Sequence, residues 1–196
     1  MKKRLLAILV LAVSAFIACS WYMKVYNNLV NSEEGVSAAW AQVENVYQRR
    51  ADLIPNLVAT VKGYAEHEQN TLESVISARS KATSVTVDPL NLTPEAIAEF
   101  QKAQGELSSA LGRLLAIQEN YPDLKANENF KELQAQLEGT ENRIATERMK
   151  FNEAARNYNI MVRRFPNNIV AGLSHFGTKG YFQAAEGASA APKVEF

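Results

Sequence analysis

The residues able to do chemistry are few and far apart. The chain has two histidines, His67 and His175, and one cysteine, Cys19. His67-Glu68 begins as a zinc-protease helix motif begins. That motif needs a second histidine four residues on, so that both ligands share one helix face; the residue there is Thr71. Carboxylate-bridged di-iron bundles need a glutamate three residues ahead of a histidine on two helices; Tyr64 and Gly172 occupy those places. Neither a phosphate-cradling glycine loop nor a Gly-x-Ser-x-Gly elbow is present. Cys19 lies in an apolar run with no histidine near it in sequence, which argues against a thiol nucleophile. His67 stands between Glu66 and Glu68, and its default is an exposed helix-surface histidine rather than a phosphoacceptor. No catalytic residue, metal site or cofactor is therefore expected. The densest polar cluster is Gln48, Arg49, Arg50 and Asp52, close to Pro55 and upstream of His67.

The elements that carry these residues are helices. The 196 residues suffice for one ordinary domain and an anchor. Lys+Arg and Asp+Glu are 21 each; with Lys2, Lys3 and Arg4 set aside, 18 cations face 21 acids. A mildly acidic body without a basic stripe argues against nucleic-acid binding. One cysteine excludes an intrachain disulfide and a four-cysteine metal site.

Leu5 to Met23 are 19 residues without a charge, preceded by Lys2, Lys3 and Arg4. About 20 apolar residues cross a bilayer core of roughly 30 Å, and cations favour the cytoplasmic flank. The run is read as an anchor in the cytoplasmic membrane, with the N-terminus inside and the remainder outside. Two other readings stay open. Phe16-Ile17-Ala18-Cys19 resembles a lipobox, which would make Cys19 a lipidation site, and Val13-Ser14-Ala15 resembles a signal-peptidase site.

Asn27, Asn28 and Asn31 form a polar break, after which Ser32 is the expected N-cap of the first body helix. Val36, Trp40, Val43, Tyr47, Ile54, Leu57, Val61, Tyr64, Leu72 and Val75 form its seam. The phase continues across Pro55, so one bent helix is expected, running to about Thr83 with a kink near Asp52. The second helix starts at Thr93-Pro94-Glu95, carries Ile97, Phe100, Leu107, Leu111 and Leu114, and stops at Tyr121-Pro122. The third begins near Asn127 or Asn129, the latter forming a capping box with Glu132. Phe130, Leu137, Ile144, Phe151, Tyr158 and Phe165 recur every seven residues. That heptad repeat implies coiled-coil-like packing over about 57 Å. Asn168 to Ala185 is read as a short fourth helix or an aromatic flap, and Gly187 to Phe196 as a disordered tail.

The fold class is all-α: an antiparallel up-and-down bundle of three long helices plus a short C-terminal fourth, behind an N-terminal membrane segment. The boundaries are 1–24, 25–186 and 187–196. Two charges fall on the core phase, Arg50 and Glu68. A buried charge is costly unless paired, and Glu138 and Glu141 on the third helix are candidate partners for Arg50.

Several strings carry a family resemblance. They are Tyr26-Asn27-x-Leu29-Val30, Ala39-Trp40-x-Gln42-Val43, the run from Gln48 to Glu68, the run from Tyr121 to Gln134, Glu138-x-x-Glu141-Asn142-x-Ile144-Ala145, Tyr158-Asn159 and Phe165-Pro166. Together they resemble the LemA family of bacterial membrane proteins over roughly residues 25–182. The resemblance implies a membrane segment followed by an antiparallel helical bundle, no established enzymatic activity, and association with other membrane proteins, membrane proteases among them. The matching residues Gln48, Arg49, Arg50, Asp52, Pro55, Asn56, Lys62, His67 and Asn127 are candidates for a docking surface or for structural roles. The expected function is a membrane-tethered interaction module whose partner is another envelope protein. The alternative is an enzyme or accessory factor with a polar site around Arg49, Arg50, Asp52 and His67.

Overall fold

A computed structural model describes residues 2–184. The expected tail from Gly187 to Phe196 lies outside the described residues. Six α-helices follow one another: α1 (Lys2–Lys62), α2 (Gln69–Ser84), α3 (Pro94–Ala116), α4 (Pro122–Ala126), α5 (Glu128–Arg163) and α6 (Asn167–Leu173). A single 3-10 turn (Ile117–Glu119) joins α3 to α4, and an extended strap follows α6.

The first helix differs from expectation at both ends. It runs without a break from the apolar segment into the bundle, 61 residues or about 92 Å. Ser32 lies inside it and caps nothing. The reason is packing. Val25 and Leu29 continue the phase of Val36, Trp40 and Val43, and all five are buried. Intrinsic propensity is a weak prior, and this seam overrides the asparagines at 27, 28 and 31. At the other end α1 passes through Pro55 but stops at Lys62, well before Thr83. Gly63 opens a turn, Ala65 N–H donates to Val61 O at 2.9 Å, and α2 returns along α1. Reversal lets Leu72, Val75 and Ala82 bury against Ile54, Leu57 and Val61. The expected single bent helix is thus two antiparallel helices, and Tyr64 is exposed at the turn.

The start of α3 is as the sequence indicates, with Thr93 Oγ1 accepting from Ala96 N–H and Pro94 in the first turn. It ends at Ala116, ahead of Tyr121-Pro122, and Pro122 opens α4 instead. α5 is capped by Asn127, whose side chain accepts from Phe130 N–H at 2.9 Å; Asn129 sits inside the helix. Its 36 residues span about 54 Å. Phe130, Leu137, Ile144, Phe151 and Tyr158 are buried, but Phe165 is 77 % exposed. Phe165 precedes Pro166, and a residue before proline is disfavoured in helical conformation, so α5 has already ended.

α1 and α3 run down from the apolar segment, and α2 and α5 run back. The interior consists of two apolar clusters stacked along this axis. The first, next to the apolar segment, holds Val36, Trp40, Tyr47, Phe100, Phe151, Tyr158 and Phe182. The second holds Ile54, Leu57, Leu107, Leu114, Phe130 and Leu137. Between them lies a polar layer, formed where α1 contributes Arg50, α3 contributes Gln104 and α5 contributes Thr140.

Candidate functional site

Arg50 is at the centre of that layer, 1 % exposed. Its guanidinium donates to Ser108 Oγ at 2.7 Å, Glu141 Oε1 at 2.7 Å, Gln104 O at 3.2 Å and Gln104 Oε1 at 2.6 Å. It also lies 5.0 Å from the centre of the Tyr47 ring. Gln104 Nε2 donates onward to Ala82 O. One cation thereby ties α1, α3 and α5 directly and α2 through Gln104. Arg50 Nε is buried without a partner, as is Trp40 Nε1. Burial holds the Tyr47 hydroxyl above its ordinary pKa, against the opposing charges of Arg148 and Arg50.

Pro55 has a local partner that sequence spacing does not reveal. A proline has no N–H for the carbonyl four residues earlier, which here is Ala51 O, on a residue 3 % exposed. Arg79 Nε of α2 donates to that carbonyl at 2.8 Å. Pro55 thus opens a backbone acceptor on α1 to which α2 is fastened.

The other motif residues do not converge. Gln48, Arg49, Asp52, Pro55 and Asn56 are exposed. At 100° per residue they lie on the side of α1 opposite its seam. Gln48 Nε2 donates to Asp52 Oδ1 at 2.7 Å along this face. Lys62 and His67 are exposed at the distal turn. Asn127, besides capping α5, donates to Tyr64 OH at 2.8 Å. Glu68, expected in the core, is half-buried and accepts from Tyr121 OH at 3.3 Å. A recess lined by a motif residue, beside Gln48 and Tyr47, holds about 170 Å³. Small-molecule sites occupy about 300–1,000 Å³. An open groove of about 1690 Å³ lies elsewhere, between α2, α3 and the strap, beside Lys81, Gln101 and Lys102. Among the described residues, no three His, Cys, Asp or Glu side chains gather as a metal would require.

A second polar assembly binds the strap. Asn159 Oδ1 accepts from Lys179 N–H while its Nδ2 donates to Lys179 O, both at 2.8 Å. Asn152 does the same for Phe182, at 2.9 Å each way. Gln101 does so for Gln183, at 3.0 Å. Three side-chain amides on α3 and α5 thus stand in for a neighbouring strand. Lys179 is buried and reaches Glu33 Oε1 and Leu90 O, both at 2.7 Å. Tyr158 OH donates to the same Glu33 oxygen at 3.4 Å. Burial, and then the Glu33 charge, push the Tyr158 hydroxyl far above its ordinary pKa. Phe182 stacks on Trp40 at 5.9 Å between ring centres. The segment read as a short fourth helix or an aromatic flap is both, α6 and then this strap with Phe182 on Trp40; the polar anchors Asn152, Lys179 and Gln183 were not singled out by sequence. Their one signal is Tyr158-Asn159, a polar residue adjoining a core position near the C-terminal end of a long helix.

The LemA family model matches residues 39–196. Magnetosome protein MamQ 2 of Paramagnetospirillum magneticum is 30% identical over 196 residues, covering 91% of this chain and 71% of that protein. Magnetosome protein MamQ of Magnetospirillum gryphiswaldense is 29% identical, with 91% and 71% covered. Protein LemA of Metamycoplasma hominis is 24% identical over 165 residues, 84% of this chain and 72% of its own. The chain belongs to the LemA family.

Proposed function

We propose that the protein is a membrane-tethered, non-catalytic helical module of the bacterial envelope that docks another envelope protein along the outer face of α1. Its N-terminus lies in the cytoplasm and its bundle on the outer side of the cytoplasmic membrane.

The division of the polar motif carries this reading. Every polar contact of Arg50 goes to its own bundle, whereas Arg49, Asp52 and Asn56 stand in solvent. Acid–base and nucleophilic catalysis need groups that converge on one reacting atom. A row of side chains along a helix suits recognition of an extended partner surface. Lys2, Lys3 and Arg4 ahead of Leu5 support the orientation, and the bare apolar turns of α1 support the tether. The magnetosome in the relatives' names supports a place in a larger assembly.

The test is photo-crosslinking in intact cells from residues placed at Arg49, Asp52 or Asn56 of the full chain, with Met149 on α5 as the control position. One reproducible protein adduct from the α1 positions, absent from Met149, is expected. Repeated absence of an adduct from all three positions rejects the docking face. The mass of the mature chain separates a peptide span from a lipid anchor: a chain beginning at a lipidated Cys19 rejects the span.

A further inference from the structure

The end of the bundle nearest the apolar segment has an uncovered face. Ile169 and Leu173 lie one turn apart on α6 and are 50% and 69% exposed, and Phe165 just ahead of the helix is 77% exposed. The opposite side of α6 is fully used: Val170 and Ala171 are buried in the first apolar cluster with Val25 and Leu29. α6 is thus amphipathic in an unusual sense, with one apolar side on the bundle and a second on nothing.

The height of α6 along the molecule is fixed by its contacts. Tyr22 OH and Ser174 Oγ are 2.8 Å apart. Tyr26 and Phe176 meet edge to face with ring centres 5.5 Å apart. Burial on α1 begins at Val25, two residues after the uncharged run from Leu5 to Met23 ends. No spacer separates that run from the bundle. The last turn of α6 therefore stands level with the last turn of the run, where Trp21 and Tyr22 also lie. Trp and Tyr concentrate where acyl chains meet headgroups. Lys24, Arg163 and Arg164 are exposed around this end, and among the described residues no carboxylate pairs with them. Long cationic side chains at that depth extend their charged ends into the headgroup layer.

We propose that Phe165, Ile169 and Leu173 form a second membrane contact, a foot that inserts among the lipid headgroups beside the span. The occupant of the uncovered face is the bilayer interface. This rests on the reading of Leu5–Met23 as a membrane span. The foot lies along the interface as a short amphipathic element does.

Tryptophan emission from the full chain in vesicles of phosphatidylcholine and phosphatidylglycerol tests it, using lipids brominated near the headgroup end of the acyl chains. Leu173→Trp and Ile169→Trp are made in a Trp21→Phe chain, with Ile76→Trp on α2 as the distal control. Trp40 is fully buried and gives a constant background. Native Trp21 reports the span separately. Quenching of the Leu173→Trp and Ile169→Trp emission several-fold beyond that of Ile76→Trp is expected. If they are quenched no more than Ile76→Trp while native Trp21 is quenched, the span stands and the foot is overturned. Cover by a second copy gives that same unquenched result and overturns it equally. If native Trp21 is unquenched too, the span falls and the foot with it.

Discussion

Arg50 is sealed in the bundle, while its partner Glu141 keeps nearly half of its side chain in water. Removing the two partners is therefore not equivalent. Glu141→Ala leaves the buried cation with neutral acceptors alone, on Ser108 and Gln104, and is expected to cost about 3 kcal/mol, the low end for a buried pair because Glu141 is half exposed. Arg50→Met leaves a carboxylate that can hydrate and takes the donor from the buried Gln104 Oε1, and is expected to cost about 1–3 kcal/mol. Urea unfolding of both variants checks the order. Pro55 and Arg79 make a coupled pair through one carbonyl. Arg79→Ala leaves Ala51 O buried without its donor and is expected to cost about 1–3 kcal/mol. The cost should shrink in a Pro55→Ala background, where the new N–H can take that carbonyl; a double-mutant cycle reads the non-additivity. Tyr158 gives the pH dependence. A hydroxyl held neutral by burial contributes stability that is whole below the ordinary tyrosine pKa, about 10, and is lost as the pH climbs toward the raised value. Tyr158→Phe is expected to lose less stability than the parent above pH about 10, measured as denaturant midpoint against pH.

Among the elements, the strap is held at its narrowest point by Gly180. A Cβ built there meets Pro94 Cα at 2.8 Å, a backbone atom at the fixed start of α3. Gly180→Ala is expected to push the strap off α3 and α5 at a cost of about 1–3 kcal/mol, within the range for overpacking. Hydrogen exchange should show lost protection at Lys179, Phe182 and Gln183 while the α5 amides keep theirs. The helices and the strap differ in how far the sequence discloses them. Trp40, Leu107 and Phe151 announce themselves by period, because a helix must turn one stripe inward. Arg50 stands out as a charge in that stripe, and its phase points toward Glu141 on α5. The strap has no period to read: it is an extended run whose hydrogen bonds go to amides on distant helices. The Pro55–Ala51–Arg79 link is hidden likewise, since the spacing shows the missing donor but not its replacement. The continuity of α1 was legible in Val25 and Leu29, yet the asparagines beside them carry the opposite local preference.

For the molecule as a whole, the span and the bundle share a helix but no core. The apolar window of α1 is 0% buried, so a chain beginning at Lys24 keeps every buried seam residue from Val25 onward. It is expected to fold in water with a thermal midpoint within a few degrees of the full chain, which circular dichroism can compare. The unbroken α1 then has a mechanical meaning. From Lys24 to Lys62 the helix extends about 58 Å past the apolar run, unbroken through Pro55, where Arg79 takes the carbonyl that the proline leaves open. Membrane spans tilt by about 20° on average, and a stretch longer than the bilayer is thick can be accommodated by further tilt. Carried rigidly along that length, such a tilt moves the turn at Gly63 sideways by about 20 Å. With Leu5–Met23 across a bilayer as proposed, α1 is a lever arm, and the thickness of the surrounding lipid sets where the far end of the bundle can reach.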